Sequence, residues 1–218
     1  MLCRRRHNSW DITKLGGPVK GKYFGAYVMI NIYSRYIVGS SDHASELGEL
    51  AVEMMKEIFG IHGIPQVVHA DRGTSMTSKT VAALLSDLEA TKSHSRPRVS
   101  NDNPYSEAWS KTLKFSTTFP ERFGSLADAK TFMTSFVDGY NHEHRHTGIG
   151  LNTHADVHYG LAEAKAIERA ATLDAARARF PERFSTSQAP KIQSISATAW
   201  INKPADKPTK NDRLELAA

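Results

Sequence analysis

Residues 66–74 read QVVHADRGT. Two adjacent valines in a short run, closed by an Asp-Arg-Gly turn signal, predict a short buried strand over 66–70. Asp71 then falls just beyond the carboxyl end of that strand, the place where α/β sheets present functional groups. Upstream, Leu47, Leu50, Ala51, Met54 and Ile58 recur at i, i+3, i+4, i+7 and i+11, which predicts a helix stopping at Gly60. Downstream, Val81, Leu84, Leu85 and Leu88 mark a second helix, with Thr77 or Ser78 as its cap. A strand enclosed by two amphipathic helices makes this part of the chain an α/β layer.

Further out on the amino-terminal side the pattern is β-rich. Ser9 to Thr13 reads as a first strand, Gly16-Gly17-Pro18 as a turn, and Tyr23 to Ile32 as a long apolar strand. Tyr36 to Ser40 reads as a third strand after a tight turn near Ser34-Arg35. On the carboxyl side a short strand is expected around Ala90 to His94. Ser125 with Asp128 three residues on has the form of a capping box. Ala129, Phe132, Met133, Phe136, Val137 and Tyr140 follow as the strongest helical stripe in the chain, which reads as core packing. Residues 160–179 are Ala-rich and helix-prone. From Phe180 on, Pro, Ser, Lys and scattered charges predict an extended, partly disordered tail.

The polar stretch at 100–114, SNDNPYSEAWSKTLK, opens a further helix. Pro104 suits the first helical position, with Asn103 as the cap. At 100° per residue Glu107, Lys111 and Lys114 share one side, while Trp109 and Leu113 anchor the opposite side. Read alone, this is a solvated face with an i,i+4 ion pair of a few tenths of a kcal/mol.

Bulk properties narrow the class. Of 218 residues, 40% are hydrophobic and 23% charged, enough apolar material for a core. No apolar run approaches the roughly 18 residues that span a bilayer, and MLCRRRHNSW has no apolar stretch that would make it a secretory signal. Cys3 is the only cysteine, which excludes an internal disulfide and a cysteine-rich zinc site and fits a reducing cytoplasm. The net charge of +5 favours a polyanionic partner.

Three acids therefore stand at special places: Asp11 in the first strand, Asp71 after the fourth, and Glu107 at the start of its helix. Breaking or joining a phosphodiester requires stabilising charge on the attacking and leaving oxygens, which two divalent cations about 3.5–4 Å apart can do. Mg²⁺ takes hard oxygen ligands and keeps several waters, so two or three convergent carboxylates suffice to hold it. The run His142 to His146 has alternate histidines, which converge only from an extended segment, and no cysteine nearby to complete a zinc site.

WDIT at 10–13, VHADRGT at 68–74 and SNDNPYSEAWSKTLK together resemble the transposases of bacterial insertion sequences that share the retroviral-integrase catalytic core. The likeness is to the group whose transposase is joined from two overlapping reading frames. Residues 72 to 106, thirty-five positions, separate Asp71 from Glu107, the spacing for which this DD(35)E family is named. YVMINIYSRYIVG at 27–39 and YNHEHRHTGIGLNTHADVHYG at 140–160 resemble its other landmarks.

The resemblance implies a ribonuclease H-like mixed sheet flanked by helices, with a helical and extended C-terminal tail. It implies a basic leader over 1–8, an integrase-type catalytic core over 9–150 and a C-terminal region over 151–218. It implies a Mg²⁺-dependent DNA strand-transfer enzyme, with Mn²⁺ as a substitute, in which Asp11, Asp71 and Glu107 bind metal. Lys114 matches the family's accompanying basic residue, and Lys111, Arg72 and Arg35 are further DNA-binding candidates. Arg72 and Arg35 could equally make structural ion pairs, and His69, beside Asp71, reads as a packed or hydrogen-bonded histidine. The implied partners are DNA at the element ends and target, further copies of the chain, and a helix-turn-helix region, separate or fused. The implied location is the bacterial cytoplasm, at the nucleoid.

Three departures from the family pattern stand out. Asn31 stands where relatives commonly have Asp: an acid that tuned the site would be missed there, whereas one that only supported the sheet and turn would not. Thr153-His154 replaces Thr-Pro and is read as a local loop change. The chain also starts close to the catalytic core, with no room for the helix-turn-helix region. These points make a catalytically impaired regulator, binding DNA or dimerising with a full-length transposase, the alternative function. A general nuclease of RNA–DNA hybrids is a third reading, against which the spacing and Lys114 argue.

Overall fold

A computed structural model describes residues 7–96, 102–184 and 191–201. Strands β1 (His7–Gly16), β2 (Tyr23–Asn31) and β3 (Ile37–His43) form an antiparallel meander. Helix α1 (Gly48–His62) crosses to β4 (Val67–Ala70), and α2 (Lys79–Asp87) crosses to β5 (Thr91–His94). Both β4 and β5 run parallel to β1, giving one mixed sheet in the order β3-β2-β1-β4-β5. Parallel neighbours need crossovers, and the two amphipathic helices supply them.

The sheet is covered on both faces, and strand alternation sorts its side chains. Trp10, Tyr27 and Met29 point to the face packed by α1 and α2, with Met55 and Leu85 among the buried residues there. Leu15, Ala26, Val28 and Ile30 point to the other face, covered by α3 (Pro104–Lys114) and α4 (Leu126–His142) through Trp109, Leu113 and Met133. The five-stranded mixed sheet flanked by helices is the ribonuclease H-like architecture expected from the sequence.

Several local signals act as expected. Ser78, not Thr77, caps α2 by accepting from the Val81 N–H. Ser125 accepts from the Asp128 N–H at the start of α4. The expected stop of α1 at Gly60 is wrong by one turn. The helix runs on to His62 and ends at Gly63, whose φ of 80° and N–H bond to the Phe59 carbonyl make it the terminator. Gly60 faces open space, and an exposed glycine weakens a helix without ending it.

After α4, a two-stranded ribbon of β6 (Arg145–His146) and β7 (Asn152–Thr153) leads to α5 (His154–His158) and α6 (Ala162–Arg179). Thr153 caps α5 in a full capping box with Asp156. His154 is therefore the first helical residue, where proline is favoured, and not a loop residue. Its ring is fully buried, stacks on Tyr140 at 4.1 Å, and places Nδ1 3.2 Å from the Ser34 carbonyl. The Thr153-His154 departure is thus a packing change in the body of the protein. Residues 191–201 form no helix or strand, yet Ala199 and Ile201 lie against the α3–α4 side of the core.

Candidate active site

The register of β1 and β4 builds the centre of the site. Trp10 pairs with Ala70, so Asp11 and Asp71 are the next residues on adjacent parallel strands, whose axes lie about 4.8 Å apart. Asp11 shares a face of β1 with Ser9 and Thr13, and α3 lies along that face. The Ser9 hydroxyl is 3.0 Å from Ser106 Oγ and bonds the Asn103 side chain, while Thr13 Oγ1 is 3.0 Å from Ser110 Oγ. These contacts bracket Asp11 and fix α3 parallel to β1, with Glu107 next to Ser106 on the flank of the strand-facing surface.

Asn103 occupies the predicted cap position but makes no side-chain cap bond. Its side chain is taken by Ser9 and by the Trp10 carbonyl at 3.4 Å, so it joins helix to sheet instead. The start of α3 is held from two further directions. His69 reaches Ser93 Oγ at 3.0 Å and the Asp102 carbonyl at 2.9 Å. Buried Asp102 accepts from the Arg96 guanidinium at 2.8 and 2.9 Å and from the Arg96 N–H at 2.7 Å.

Burial raises the Asp11 carboxyl from its ordinary 3.8 to about 6. The Ile12 N–H, donating to Asp11 Oδ1 at 2.8 Å, opposes that rise. Among neighbouring charges, Asp71 and Glu107 push the carboxyl up and Lys114 pulls it down. One half-buried carboxyl therefore senses the other two acids and the lysine.

Asp71 is oriented by a residue that the sequence reading passed over. The Ser95 hydroxyl donates to Asp71 Oδ1, and the Ser95 N–H bonds the Ala70 carbonyl at 3.1 Å. Arg72 donates from Nε to the Ser95 carbonyl at 2.9 Å, so this exposed side chain is tied back over the same residue. Arg35 lies elsewhere, beyond the end of β2, with its guanidinium 4.3 Å from the Tyr105 ring centre.

Asn31 pairs with Asn8, three residues along β1 from Asp11. Its amide donates to Asn8 Oδ1 at 3.1 Å, and its oxygen accepts from the Ser34 N–H and hydroxyl, both at 3.0 Å. Asn31 thus supports the sheet and the turn after β2.

Three carboxylates offer the hard oxygen donors suited to Mg²⁺ or Mn²⁺. Among the described residues, however, no three His, Cys, Asp or Glu side chains lie close enough together to surround a metal ion. Like charges without a counter-ion repel, and Asp71 has one oxygen committed to Ser95. The donor set fits such a cation in chemistry, with tighter convergence required on binding.

Comparison with known proteins agrees with this architecture. Two family models, each described as an integrase core domain, match residues 3–100 and 88–153. The transposase for insertion sequence element IS904 of Lactococcus lactis subsp. lactis (strain IL1403) is 29% identical over 149 residues, covering 67% of this chain and 58% of that protein. The chain thus spans under two thirds of that relative's length. A chain of the simian T-cell lymphotropic virus intasome in complex with PP2A regulatory subunit B56 gamma superposes with a TM-score of 0.59 at 15% identity, over 72% of this chain and 55% of that one. The HTLV-2 integrase catalytic core domain in complex with magnesium superposes with a TM-score of 0.52 at 14% identity, over 72% of this chain and 98% of that one. With the two models together matching residues 3–153, the chain belongs to the integrase core domain family, and it is similar to a bacterial insertion-sequence transposase.

Proposed function

We propose that the chain is the catalytic part of a DNA transposase, cleaving phosphodiesters and transferring strands with a divalent cation, Mg²⁺ or Mn²⁺. The observation that carries this reading is the Asp11 carboxyl, bracketed by α3 and sensing Asp71, Glu107 and Lys114 together.

In this reading Asp11, Asp71 and Glu107 would hold the cation. When bound, it supplies charge stabilisation at the phosphate and makes water or a 3′-hydroxyl a competent nucleophile. The protein's own groups do the rest. Ser95 fixes the direction of the Asp71 carboxylate, and the two hydroxyl pairs fix the height of Glu107 against β1. Lys114 presents an ammonium on the acid-bearing flank, where it meets a substrate phosphate and sets its register. Lys111 and Arg72 add exposed positive charge along the same approach. The partners in this reading are element-end and target DNA, further copies of the chain holding two ends together, and a helix-turn-helix region, at the nucleoid of a bacterial cytoplasm.

The test is nicking and joining of DNA carrying the element's ends, with and without Mg²⁺, alongside Glu107→Gln. Metal-dependent turnover in the wild type and none in a folded Glu107→Gln protein is the expected outcome. Salt-dependent DNA binding with no turnover, even with a recognition domain added in trans, identifies a regulator instead.

A further inference from the structure

Among the described residues Arg35 is a cation with no carboxylate partner. Its Nε is buried with no hydrogen-bond acceptor. Its charge instead falls on His146, His154 and Tyr140, all neutral neighbours. Burying one donor of a guanidinium with neither an acceptor nor a counter-charge is unfavourable. The backbone adds to that, since Arg35 has a φ of 61°, a region that non-glycine residues enter at a cost. Strain and an unpaired charge at one residue are features associated with ligand sites.

The surroundings define a ligand. Arg35 lines a cavity of about 200 Å³ together with Tyr33, Tyr105, Ser196, Thr198 and Trp200. Its guanidinium carbon stands 4.3 Å from the Tyr105 ring centre, and the terminal N–H donors are not among the buried groups, so they can meet an anion at the edge. Trp200 is held at the rim by its carbonyl, which accepts from Tyr105 OH at 2.9 Å, and by its indole N–H, which donates to Thr198 Oγ1 at 3.0 Å. A guanidinium edge, an aromatic rim and two hydroxyls in a cavity too small for a duplex match one nucleotide of an unpaired strand. Phosphates take charge-assisted bonds from arginine, and bases stack on tryptophan whatever their sequence.

We infer that this cavity holds one unpaired nucleotide of a DNA strand, its phosphate on Arg35 and its base on Trp200. The inference rests on the DNA-processing reading above. Tyr105 lies two residues before Glu107 on α3, so an occupied cavity ties a strand to the helix that carries the third acid.

The experiment reads tryptophan emission of the full chain in EDTA, titrated with oligothymidylate or with a hairpin duplex whose ends are both closed by loops too tight to offer a free strand. Trp200 is 45% exposed while Trp10 and Trp109 are 1% and 3% exposed, so quenching by the oligonucleotide reports Trp200. Oligothymidylate is expected to quench and the closed duplex to bind without quenching. Arg35→Asn keeps a residue that tolerates the backbone conformation and should weaken oligothymidylate binding about tenfold, leaving duplex affinity unchanged. Trp200→Ala, away from the strained position and read instead by the anisotropy of fluorescein-labelled oligothymidylate because the reporting indole is gone, should weaken binding by a similar factor. Duplex binding with no preference for the single strand, or variants that bind oligothymidylate as the wild type does, overturns the cavity assignment alone. Failure to bind either DNA overturns the assignment and the proposed function together.

Discussion

The Ser95 hydroxyl donates to the Asp71 carboxylate, and the Ser95 N–H is bonded to the carbonyl of the residue just before that aspartate. Ser95 follows β5 and Asp71 follows β4, so the last rung between two parallel strands sets the direction of a candidate metal ligand. Outer partners of this kind are worth tenfold or more in metal affinity. Ser95→Ala should raise the Mg²⁺ concentration at half-maximal DNA cleavage about tenfold, with Ser95→Thr restoring most of the loss. Metal titrations of cleavage rate check this; an unchanged midpoint would show that Asp71 orients itself.

Thr13→Val keeps shape and removes the hydroxyl facing Ser110. The expected loss is about 1 kcal/mol of stability in urea unfolding, together with a lower cleavage rate as α3 loosens beside Glu107.

Asp42 is buried with Oδ1 lacking a hydrogen bond, and burial raises its carboxyl to about 6, opposed by Lys130. The folded state then holds a proton that the unfolded state releases near 3.8. Stability contributed by the protonated form is lost as pH rises from that value through about 6. Asp42→Asn should therefore gain about 1–2 kcal/mol at pH 7 and nothing below pH 4, measured by paired denaturant melts at the two pH values.

His154 shifts in the opposite sense. Burial lowers its pKa from 6.5 to about 3, the Ser34 carbonyl opposing, so the unfolded chain binds a proton that the folded one refuses. Stability present above 6.5 is lost as pH falls toward 3. His154→Gln should be less stable at pH 7.5 by about 1–2 kcal/mol, through the lost stacking on Tyr140, yet flatter between pH 6.5 and 4. Thermal melts across that range compare the two slopes.

Gly60 lies in α1 with nothing within 4 Å of where a Cβ would stand. Gly60→Ala should raise stability by about 0.5–1 kcal/mol, read as a shift in the urea midpoint with an unchanged slope.

Local grammar made most of the architecture legible. Period-2 and period-3.6 patterns located the strands and helices, and Ser78, Ser125, Asn103 and Pro104 marked helix starts because capping is a property of adjacent residues. The end of α1 was misplaced because two glycines three residues apart compete, and only backbone geometry decides between them. Asn103 shows the next limit: its position was readable, but its side chain answers to Ser9, ninety-four residues away. Ser95 carried no signal for the same reason, since its partner lies on another strand. A serine and threonine alternating with Trp10 and Ile12, and serines four apart at 106 and 110, were the available hint that β1 and α3 meet through hydroxyls. His154 escaped because a residue after threonine reads as loop until its burial is known.

The bond between Arg96 and buried Asp102 has a consequence for how this protein can change over time. It joins the second residue after β5 to the second residue before α3, so the helix bearing Glu107 takes part of its bearings from this charged pair. A change at either partner strands the other, a buried carboxylate or its guanidinium, so the two positions can be exchanged only together and act as one inherited unit.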